Sequence, residues 1–400
     1  MTQERKFRVA VVNSHPIQYF APLYTYLSSD PAIEVTALYC SDFSLRGGMD
    51  PGFRQQVTWN VDLLHGYRAI FLGARAKTRS PRGFFSLICP EAWREVRKGG
   101  YDAIWLHGYN YAAYVIAFLA AKSCGIPVFM RSETHLGLQR IGWRQHVRDD
   151  LLRFAYRFVD GFLAIGSANR LYYRALGVPE WKIFDVPYTV DNARFIAAAR
   201  LSEQERIEIR RKYGLRPDLP VVLYASKLMP RKHPDDLIEA IAKLRDEGMP
   251  VTLFIVGTGD MDPALRARVD TLGLHDVVFG GFVNQAELPQ VYAASDVFVL
   301  PSENDPWGLA VNKPMCAGIP IIVADEVGCV PDLVKDGVNG AHMRAGDVGS
   351  QVAALKRVLT DPEQCRRMGR KSLEIIQYWS YEQCRHGLLS AISAVQARGA

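Results

Sequence analysis

The segment Pro301–Gly318 (PSENDPWGLAVNKPMCAG) combines residue types that suit a phosphate-bearing ligand. It follows an apolar run, Asp296–Leu300, that predicts a buried strand, and it leads into Leu309–Ala317, which predicts the start of a helix. Glu303 and Asp305 would then lie, beside backbone N–H groups, where a parallel strand gives way to a helix. Ligands bind at this edge of open α/β sheets, and helix N-termini attract phosphate. The segment therefore predicts a ligand site.

A second segment, rich in cations, follows the first predicted strand of the second half. Ser226–Lys232 (SKLMPRK) comes directly after Val221–Tyr224 and carries Lys227 and Lys232. Cationic side chains at a strand end suit a diphosphate. Taken alone, the segment is better explained as a solvated basic turn. Beside Pro301–Gly318, we favour a phosphate-binding function for it.

The layout of Pro301–Gly318 resembles the donor-sugar loop of the retaining GT-B glycosyltransferases of family 4, also called group 1. In that family a carboxylate, seven intervening residues and a second carboxylate bracket the nucleotide sugar. Here Asp305 holds the first position and Lys313 the second. The resemblance implies that Asp305 lies near the hydroxyls of the transferred sugar, and that Trp307, Gly308 and Leu309 bring backbone amides there.

Lys313 departs from the family pattern. The family's second carboxylate accepts hydrogen bonds from the ribose hydroxyls, whereas a lysine can only donate. Three interpretations stay open: Lys313 donates to ribose oxygens or reaches a phosphate, the donor is unusual, or the protein is impaired as an enzyme. Glu303 is a poorly placed candidate for the missing carboxylate, and Pro314 indicates a local helix that starts later. Asp305, ahead of a proline, is also a candidate helix N-cap.

The resemblance assigns further residues to the nucleotide. Relatives carry an arginine and then a lysine that point at the donor phosphates, and Lys227 and Lys232 take these two positions; Lys227 keeps the charge but loses the bidentate fork. Phe282 and Val283 match the segment whose backbone lines the base, although an ordinary turn explains them equally well. We interpret Gly257–Gly259 mainly as a tight turn.

Candidate residues of the first half lie at the ends of three predicted strands. His15 and Gln18 follow the first strand, His107 follows another, and Arg131 and Glu133 follow the next. The resemblance implies that His107 lies beside the reacting sugar and that the others face the acceptor. The loop that contains His15 lacks the Gly-Gly of many relatives. A lone histidine is more often structural, and a loop with satisfied charges is an equal alternative for Arg131 and Glu133.

Strand-like and helix-like segments alternate through both halves, which is typical of parallel sheets covered on both faces. The predicted fold class is α/β, with two facing doubly wound Rossmann-like domains and a cleft between them. The clearest predicted strands are 7–12, 34–39, 103–106, 128–130, 162–165, 221–224, 252–256, 277–279, 297–300 and 321–323. The predicted helices are 20–27, 203–212, 235–246, 262–272, 286–293, 352–359 and 381–396.

The predicted domain boundaries follow this alternation. Residues 1–190 form an acceptor-side domain, 191–219 a linker, and 220–375 a nucleotide-sugar-binding domain. The resemblance implies that the last helix, within 376–400, crosses back to the first domain. The alternative, that it packs on the second domain, stays open.

Length and composition indicate a soluble globular protein of two domains. The chain has 400 residues, of which 48% are hydrophobic and 22% charged. Its seven cysteines are scattered and lack any CxxC spacing, which indicates a reducing compartment without a disulfide or metal framework. The first residues lead directly into a predicted strand and the longest apolar run, Tyr111–Ala121, is short, so we expect neither a secretory signal nor a membrane span. We predict a cytoplasmic location.

Positive charge is concentrated in the first half. Residues 1–190 hold 23 Lys and Arg against 15 Asp and Glu, whereas the remainder holds 25 against 27. Within Leu138–Phe158, five arginines accompany apolar residues at Ile141, Val147, Leu151 and two phenylalanines. Such a helix can lie on anionic lipid or pack on the sheet, which is commoner; the basic half favours peripheral membrane contact. No nucleic-acid motif is recognised, so no nucleic-acid partner is expected.

The resemblance implies a retaining, metal-independent hexosyl- or glycosyltransferase (EC 2.4 type), as in polysaccharide biosynthesis. It would move a sugar from a nucleoside diphosphate to a glycan, lipid-linked or small-molecule acceptor, with the nucleotide sugar as co-substrate and no other cofactor. Lys227, Lys232, Asp305 and His107 would be the catalytic residues. Two alternatives stay open: a catalytically impaired nucleotide-sugar-binding or scaffold protein, and a GT-B-fold nucleotide-sugar epimerase.

Overall fold

The computed structural model describes residues 5–47, 49–50, 55–56, 59–73, 83–138 and 142–399. The chain divides into two compact units. The first comprises Met1–Met49, Gln56–Tyr188 and Ser380–Ala400, and the second comprises Asp50–Gln55 and Thr189–Trp379. Each unit contains one large parallel sheet, and helices join most of its consecutive strands.

The strands are short and mostly buried, as expected of sheets that are covered on both faces. Their bounds are β1 (Phe7–Asn13), β2 (Ile33–Tyr39), β3 (Met49–Asp50), β4 (Gln55–Gln56), β5 (Arg68–Phe71), β6 (Ala103–His107), β7 (Val128–Arg131), β8 (Gly161–Ala164), β9 (Ile183–Asp185), β10 (Val221–Ala225), β11 (Thr252–Val256), β12 (Val277–Gly281), β13 (Val297–Leu300), β14 (Ile321–Ala324) and β15 (Gly340–Met343).

The helices connect these strands. Their bounds are α1 (Ala21–Ser29), α2 (Glu91–Lys98), α3 (Ala112–Ser123), α4 (Trp143–Tyr156), α5 (Ser167–Ala175), α6 (Asn192–Ala198), α7 (Glu203–Lys212), α8 (Pro234–Asp246), α9 (Asp262–Thr271), α10 (Leu288–Ala293), α11 (Asn312–Cys316), α12 (Val330–Leu333), α13 (Val348–Leu359), α14 (Pro362–Ile376) and α15 (Tyr381–Gly399).

The first unit has a seven-stranded sheet in the order β5-β2-β1-β6-β7-β8-β9. The central strand β1 pairs in parallel with both neighbours, so that Val9 lies opposite Val35 of β2 and Ala103 of β6. The chain first builds outward from β1 through β2 and then continues on the other side with β6. The strand order therefore reverses between β1 and β6, and this reversal is where open α/β sheets bind ligands.

The second unit has a six-stranded sheet in the order β12-β11-β10-β13-β14-β15. Here β10 is central, with Val222 opposite Leu253 of β11 and Val297 of β13. The order reverses between β10 and β13. The segments after these two strands are Ser226–Lys232 and Pro301–Gly318, so the topology brings the two candidate segments to one sheet edge.

The α/β prediction with two Rossmann-like domains is confirmed, and each of the ten predicted strands is observed within one or two residues of its predicted ends. The prediction missed the short strands β3, β4, β5, β9 and β15 and the helices α2, α3, α5, α6, α12 and α14. The polar face of α14 fits its place on the surface, but its charged first turns gave a weak apolar signal.

The last helix, α15, packs on the first unit. Arg385 forms an ion pair with Asp30 at 2.8 Å, and Cys384 donates its S–H to the carbonyl of Pro187 at 3.1 Å. A Cβ on Gly387 would lie 1.8 Å from the carbonyl oxygen of Asp185, so only glycine permits the helix to approach β9 this closely.

Candidate active site

A buried ion pair lies where the strand order of the second sheet reverses. Lys232 ends a short 3-10 turn after β10, and Asp305 lies in the loop after β13. Lys232 Nζ donates to Asp305 Oδ2, and the two residues are 7% and 9% exposed. The structure thus brings together two residues that are 73 positions apart in the sequence and that were predicted to act on the same ligand.

The surroundings of this pair are rich in positive charge. Burial lowers the pKa of Lys232, Asp305 offsets part of that effect, and the nearby charges of Arg231 and Lys227 lower the pKa further. Three cations around one carboxylate leave a net positive potential. Such a site is suited to a diphosphate, which would compensate the two remaining charges.

The loop after β13 holds Asp305 in one orientation. The backbone N–H of Gly308 donates to Asp305 Oδ1 at 3.0 Å. Gly308 has φ +81°, and a Cβ there would lie 2.4 Å from Cγ1 of Val327, so the loop requires glycine. The predicted N-cap role of Asp305 is wrong, because α11 begins at Asn312 and its N-cap residue is Val311. Asp305 instead accepts a hydrogen bond from a backbone N–H of the loop that precedes the helix.

Trp307 also stabilises this loop. Its side chain is 2% exposed, Nε1 donates to Asn312 Oδ1 at 3.0 Å, and its ring lies 5.2 Å from that of Trp379. The Gly308 amide donates to Asp305, and its contact with the sugar stays a prediction. Leu309 is partly exposed. The helix does start later than Leu309, and Pro314 fits in its first turn.

Lys313 binds a glutamine in place of the family's ribose contact. Its Nζ donates to Gln285 Oε1 at 3.1 Å and lies 5.9 Å from the ring centroid of Phe195. Burial, together with the smaller effect of the Arg194 charge, lowers the pKa of Lys313 to about 8. Arg194 also donates to the backbone carbonyl of Gln285 at 3.3 Å. Gln285 is thereby held by hydrogen bonds to both its side chain and its backbone.

Glu303 contacts Arg231 and His233 rather than the Lys313–Gln285 pair. Its backbone N–H donates to the carbonyl of Arg231 at 2.9 Å, and its carboxylate lies 3.7 Å from Nε2 of His233. The structure therefore brings Glu303 to the segment after β10. This geometry does not support the idea that Glu303 replaces the missing carboxylate.

The remaining nucleotide candidates lie at neighbouring strand ends. Phe282 and Val283 follow β12 and precede Gln285, and Lys227 follows β10. The interpretation of Gly257 as a turn residue agrees with its φ of +135° and with a hypothetical Cβ only 2.0 Å from the carbonyl oxygen of Ser226. This glycine lets the segments after β10 and β11 pack backbone to backbone.

In the first unit, His107 ends β6 at the reversal of the strand order. Its Nε2 is hydrogen-bonded to Oη of Tyr24 at 2.8 Å, and Tyr24 Oη also accepts from Nδ2 of Asn13 at 3.2 Å. The imidazole lies 4.3 Å from the ring of Phe20 and stacks on Trp105 at 5.3 Å. Burial and the charge of Arg131 lower the pKa of His107 well below its ordinary value, so the ring is neutral near pH 7.

Arg131 is buried, which corrects its predicted place at the acceptor. It is 1% exposed, and its guanidinium lies 5.1 to 5.9 Å from the ring centroids of Tyr188, Phe20 and Trp105. Nη1 donates to the carbonyl of Val186 at 3.2 Å. Aromatic faces and backbone carbonyls stabilise this charge in the interior. Arg131 therefore orders the loop after β9 and acts on His107 electrostatically.

The other acceptor-side candidates stay predictions. His15 Nδ1 is hydrogen-bonded to Ser14 Oγ at 3.0 Å and its ring contacts Phe43. Gln18 Oε1 is a buried acceptor that has no hydrogen-bond partner within the described part of the chain. Glu133 is exposed, and its charge adds to the effect of burial, which raises the pKa of the Tyr188 hydroxyl. Gln18 and Glu133 could each contact a hydroxyl-bearing ligand.

Several residues around the site were missed from the sequence. Gln285 accepts from Lys313, Arg194 donates to the backbone of Gln285, Tyr24 is hydrogen-bonded to His107, and Ser302 Oγ lies 3.5 Å from Asp305 Oδ2. Ser302 could have been noticed because it precedes Asp305 in the same loop. The other three lie far along the chain from their partners, so only the fold reveals the contacts.

One group of possible metal ligands occurs among the described residues, formed by His233, Asp235 and Asp236. His233 Nδ1 is hydrogen-bonded to Asp236 Oδ2 at 2.8 Å, which accounts for that pair. Asp235 is exposed. We assign no ion to this group. Within the described ranges, no helix has the length and apolar character needed to span a bilayer.

Comparisons with known proteins agree with this geometry. Residues 205–374 match the family model described as glycosyl transferases group 1, and residues 33–189 match the model described as glycosyl transferase 4-like domain. The chain belongs to the group 1, GT4-like glycosyltransferases. One relative of this glycosyltransferase is named D-inositol 3-phosphate glycosyltransferase, from Streptomyces bingchenggensis, and is 28% identical over 298 residues.

These relatives are matched only in part. The match to the Streptomyces protein covers 70% of this chain and 63% of the relative. A glycosyltransferase of Methanocaldococcus jannaschii, named as uncharacterized, is 36% identical over 162 residues, which is 40% of this chain and 41% of the relative. The chain thus spans about two fifths to three fifths of the length of these curated relatives.

Solved structures with the same fold align with almost the whole length of the glycosyltransferase. Anabaena HepE in complex with UDP and glucose has a TM-score of 0.73 at 19% identity, over 97% of this chain and 100% of that one. Sucrose-phosphate synthase from Thermosynechococcus elongatus has a TM-score of 0.74 at 19% identity, over 98% and 100%. At this identity the likeness establishes the GT-B fold.

Proposed function

We propose that this glycosyltransferase uses a nucleoside-diphosphate sugar and binds its diphosphate beside Lys232 and Lys227. The observation that carries the proposal is the buried Lys232–Asp305 pair at the strand-order reversal, with Lys227 and Arg231 close enough to act on the pKa of Lys232. Asp305 would accept hydrogen bonds from hydroxyls of the transferred sugar, since a carboxylate is a strong acceptor. A structural neighbour that binds UDP and glucose supports this choice of ligand class.

The proposed reaction retains the configuration at the anomeric carbon and needs no metal. The acceptor hydroxyl attacks from the face that the diphosphate leaves, so the new C–O bond forms as the bond between the sugar and the phosphate breaks. The departing phosphate oxygen takes the proton of the hydroxyl. Lys232 and Lys227 stabilise the negative charge that develops on the diphosphate, and they are in place before the reaction begins.

Lys313 and Gln285 together would make the ribose contact. Both side chains can donate to ribose oxygens, and the hydrogen bond between them fixes their geometry. A ribose hydroxyl both donates and accepts, so exchanging the family's acceptor for a donor still permits a bond. Lys313 therefore need not impair the enzyme.

The acceptor side is proposed for the first unit, with His107 beside the reacting sugar. A neutral imidazole can donate to or accept from a hydroxyl without placing a further charge near the sugar. The acceptor itself is a glycan, a lipid-linked sugar or a small molecule, and we propose that the protein acts at the inner face of a membrane. One relative is named as a phosphatidylinositol monomannoside mannosyltransferase, which is compatible with a lipid-linked acceptor.

The proposal is tested by incubating the protein with UDP-, GDP- and ADP-sugars and following nucleotide release and the anomeric proton by NMR. Release of nucleoside diphosphate with an axial product from an axial donor is expected. Binding of a nucleotide without turnover would instead indicate an impaired binding protein. Interconversion of the free nucleotide sugar without acceptor would indicate an epimerase.

A further inference from the structure

The helix α4 carries an apolar surface that does not pack on the protein. We name it the α4 stripe. Its residues are Trp143, Val147, Leu151 and Phe154 of the helix, together with Phe158, which lies two residues beyond the helix end. Their exposed fractions are 71%, 50%, 65%, 59% and 48% in that order. Five large apolar side chains within 16 residues are far more than the scattered exposed apolar residues of an ordinary surface.

The α4 stripe lies opposite the face by which the helix is anchored. At about 100° per residue, its five positions fall within an arc of about 80°. The anchoring residues Leu152 and Tyr156 belong to the core of the first unit and are 7% and 4% exposed. Their positions are about 140° and about 180°, respectively, from the centre of the stripe. The helix is therefore apolar on two opposite faces. One face packs in the core of the first unit, and the other, the α4 stripe, is exposed.

Arginines border the stripe on both sides. By the same geometry, Arg144 and Arg148 lie along one edge and Arg153 and Arg157 along the other. All four are exposed. Arg148 donates to Oη of Tyr109 at 2.7 Å, and Arg153 pairs with Asp150 at 2.7 Å. Asp150 is the one exposed acidic residue in the sequence from 142 to 158.

We propose that the α4 stripe docks the protein on an anionic lipid surface. The apolar side chains would enter the boundary between headgroups and acyl chains, and the bordering arginines would remain at the level of the lipid phosphates. Long arginine side chains can extend to a phosphate while their stems cover apolar surface. This surface deepens the proposed function, because it would bring the enzyme to a lipid-linked acceptor.

A second copy of the chain fits this surface less well. Two α4 stripes packed face to face would bring together two sets of four arginines with one exposed carboxylate in each helix. Like charges at the edges of a symmetric interface oppose association. Anionic lipid, in contrast, supplies negative charge along both edges.

The test is vesicle flotation with the full-length protein. We expect it to bind vesicles of phosphatidylglycerol and phosphatidylcholine at least about tenfold more strongly than vesicles of phosphatidylcholine alone. Changing both Leu151→Ser and Phe154→Ser should reduce this binding about tenfold or more. Changing both Arg144→Gln and Arg153→Gln should remove most of the difference between the two vesicle types.

The matched control is Val338→Ser in the second unit, since Val338 is also exposed, at 48%, and should be neutral. The nucleotide-induced shift in Tm is measured on the same samples. Its persistence in variants that no longer float separates this surface from the donor site. The proposal is overturned if the wild-type protein does not bind anionic vesicles, if the serine variants bind as well as wild type, or if light scattering shows a dimer that Leu151→Ser dissociates.

Discussion

The two sheets reverse their strand order at ends with opposite chemistry. In the second unit, the reversal between β10 and β13 holds a buried ion pair within a positive field from Lys227 and Arg231. In the first unit, the reversal between β1 and β6 holds a neutral histidine clamped by aromatic rings. The same topology thus places charged side chains at the strand-order reversal of one unit and a neutral imidazole at that of the other.

We infer from this difference that the two units have different roles. In the proposed function the diphosphate binds to cations of the second unit, where Asp305 favours the charged form of Lys232. The proposed hydroxyl of the sugar meets oriented, uncharged partners in the first unit, where Arg131 is enclosed among Phe20, Trp105 and Tyr188. The comparison predicts that variants in the two units should fail in different measurements.

The largest effect is expected for Lys232→Met. Removing this cation should lower the rate of transfer by about 10²- to 10³-fold, because the charge on the leaving diphosphate loses a preorganised partner. The rate is measured as nucleotide release under saturating donor. Lys232→Met also leaves Asp305 buried without its partner, so Tm should fall.

The double variant Lys232→Met with Asp305→Asn controls for folding. It removes both charges and should recover much of the lost Tm while remaining inactive. Recovery of activity together with Tm would mean that Lys232 serves stability alone.

His107→Ala tests the first unit and should have a smaller effect on turnover. We expect a loss of about 10- to 100-fold in kcat, as for loss of one oriented hydrogen-bonding group, with little change in nucleotide affinity. The measurement pairs steady-state kinetics with calorimetric titration of the nucleotide. Tyr24→Phe, which removes only the hydroxyl bound to His107, should give an intermediate kcat. A large loss of nucleotide affinity in His107→Ala would contradict the division between the units.

Changes at Lys313 should alter affinity more modestly. Lys313→Met removes the hydrogen bond to Gln285 and should weaken nucleotide binding about five- to tenfold, the value of one hydrogen bond. Lys313→Glu should retain or raise affinity, because a carboxylate also bonds to ribose hydroxyls. If Lys313→Glu instead loses affinity strongly, the ammonium group itself makes a required contact.

The smallest effect concerns pH and stability. Burial lowers the pKa of Lys313 from its ordinary 10.5 to about 8, so above pH 8 the folded protein releases a proton that the unfolded chain keeps. The stability of the wild type should therefore rise between about pH 8 and 10.5 relative to Lys313→Met, by about 1–3 kcal/mol. Below pH 8 the difference in the free energy of unfolding between the two proteins should not change with pH. Denaturant titrations of both proteins across this range check the slope.

Sequence patterns predicted the sheets well because buried parallel strands are continuous apolar runs, as in Val297–Leu300. They failed for β5, in which no residue is buried. That Lys232 and Asp305 lie at one sheet edge followed from their places at neighbouring strand ends, but the ion pair between them was not predicted. The partner of Lys313 did not, because Gln285 carries no distinctive signal and lies in a turn after β12. The burial of Arg131 also needed the fold, since three aromatic residues from distant segments surround it.

The central claim is that the charged strand ends of the second unit bind a nucleoside diphosphate. The most direct measurement is calorimetric titration of UDP, GDP and ADP into the wild type, Lys232→Met and His107→Ala. We predict that at least one nucleotide binds the wild type and His107→Ala with similar affinity, and binds Lys232→Met at least about tenfold more weakly. Equal affinity in wild type and Lys232→Met, or no binding of any nucleotide to the wild type, would contradict it.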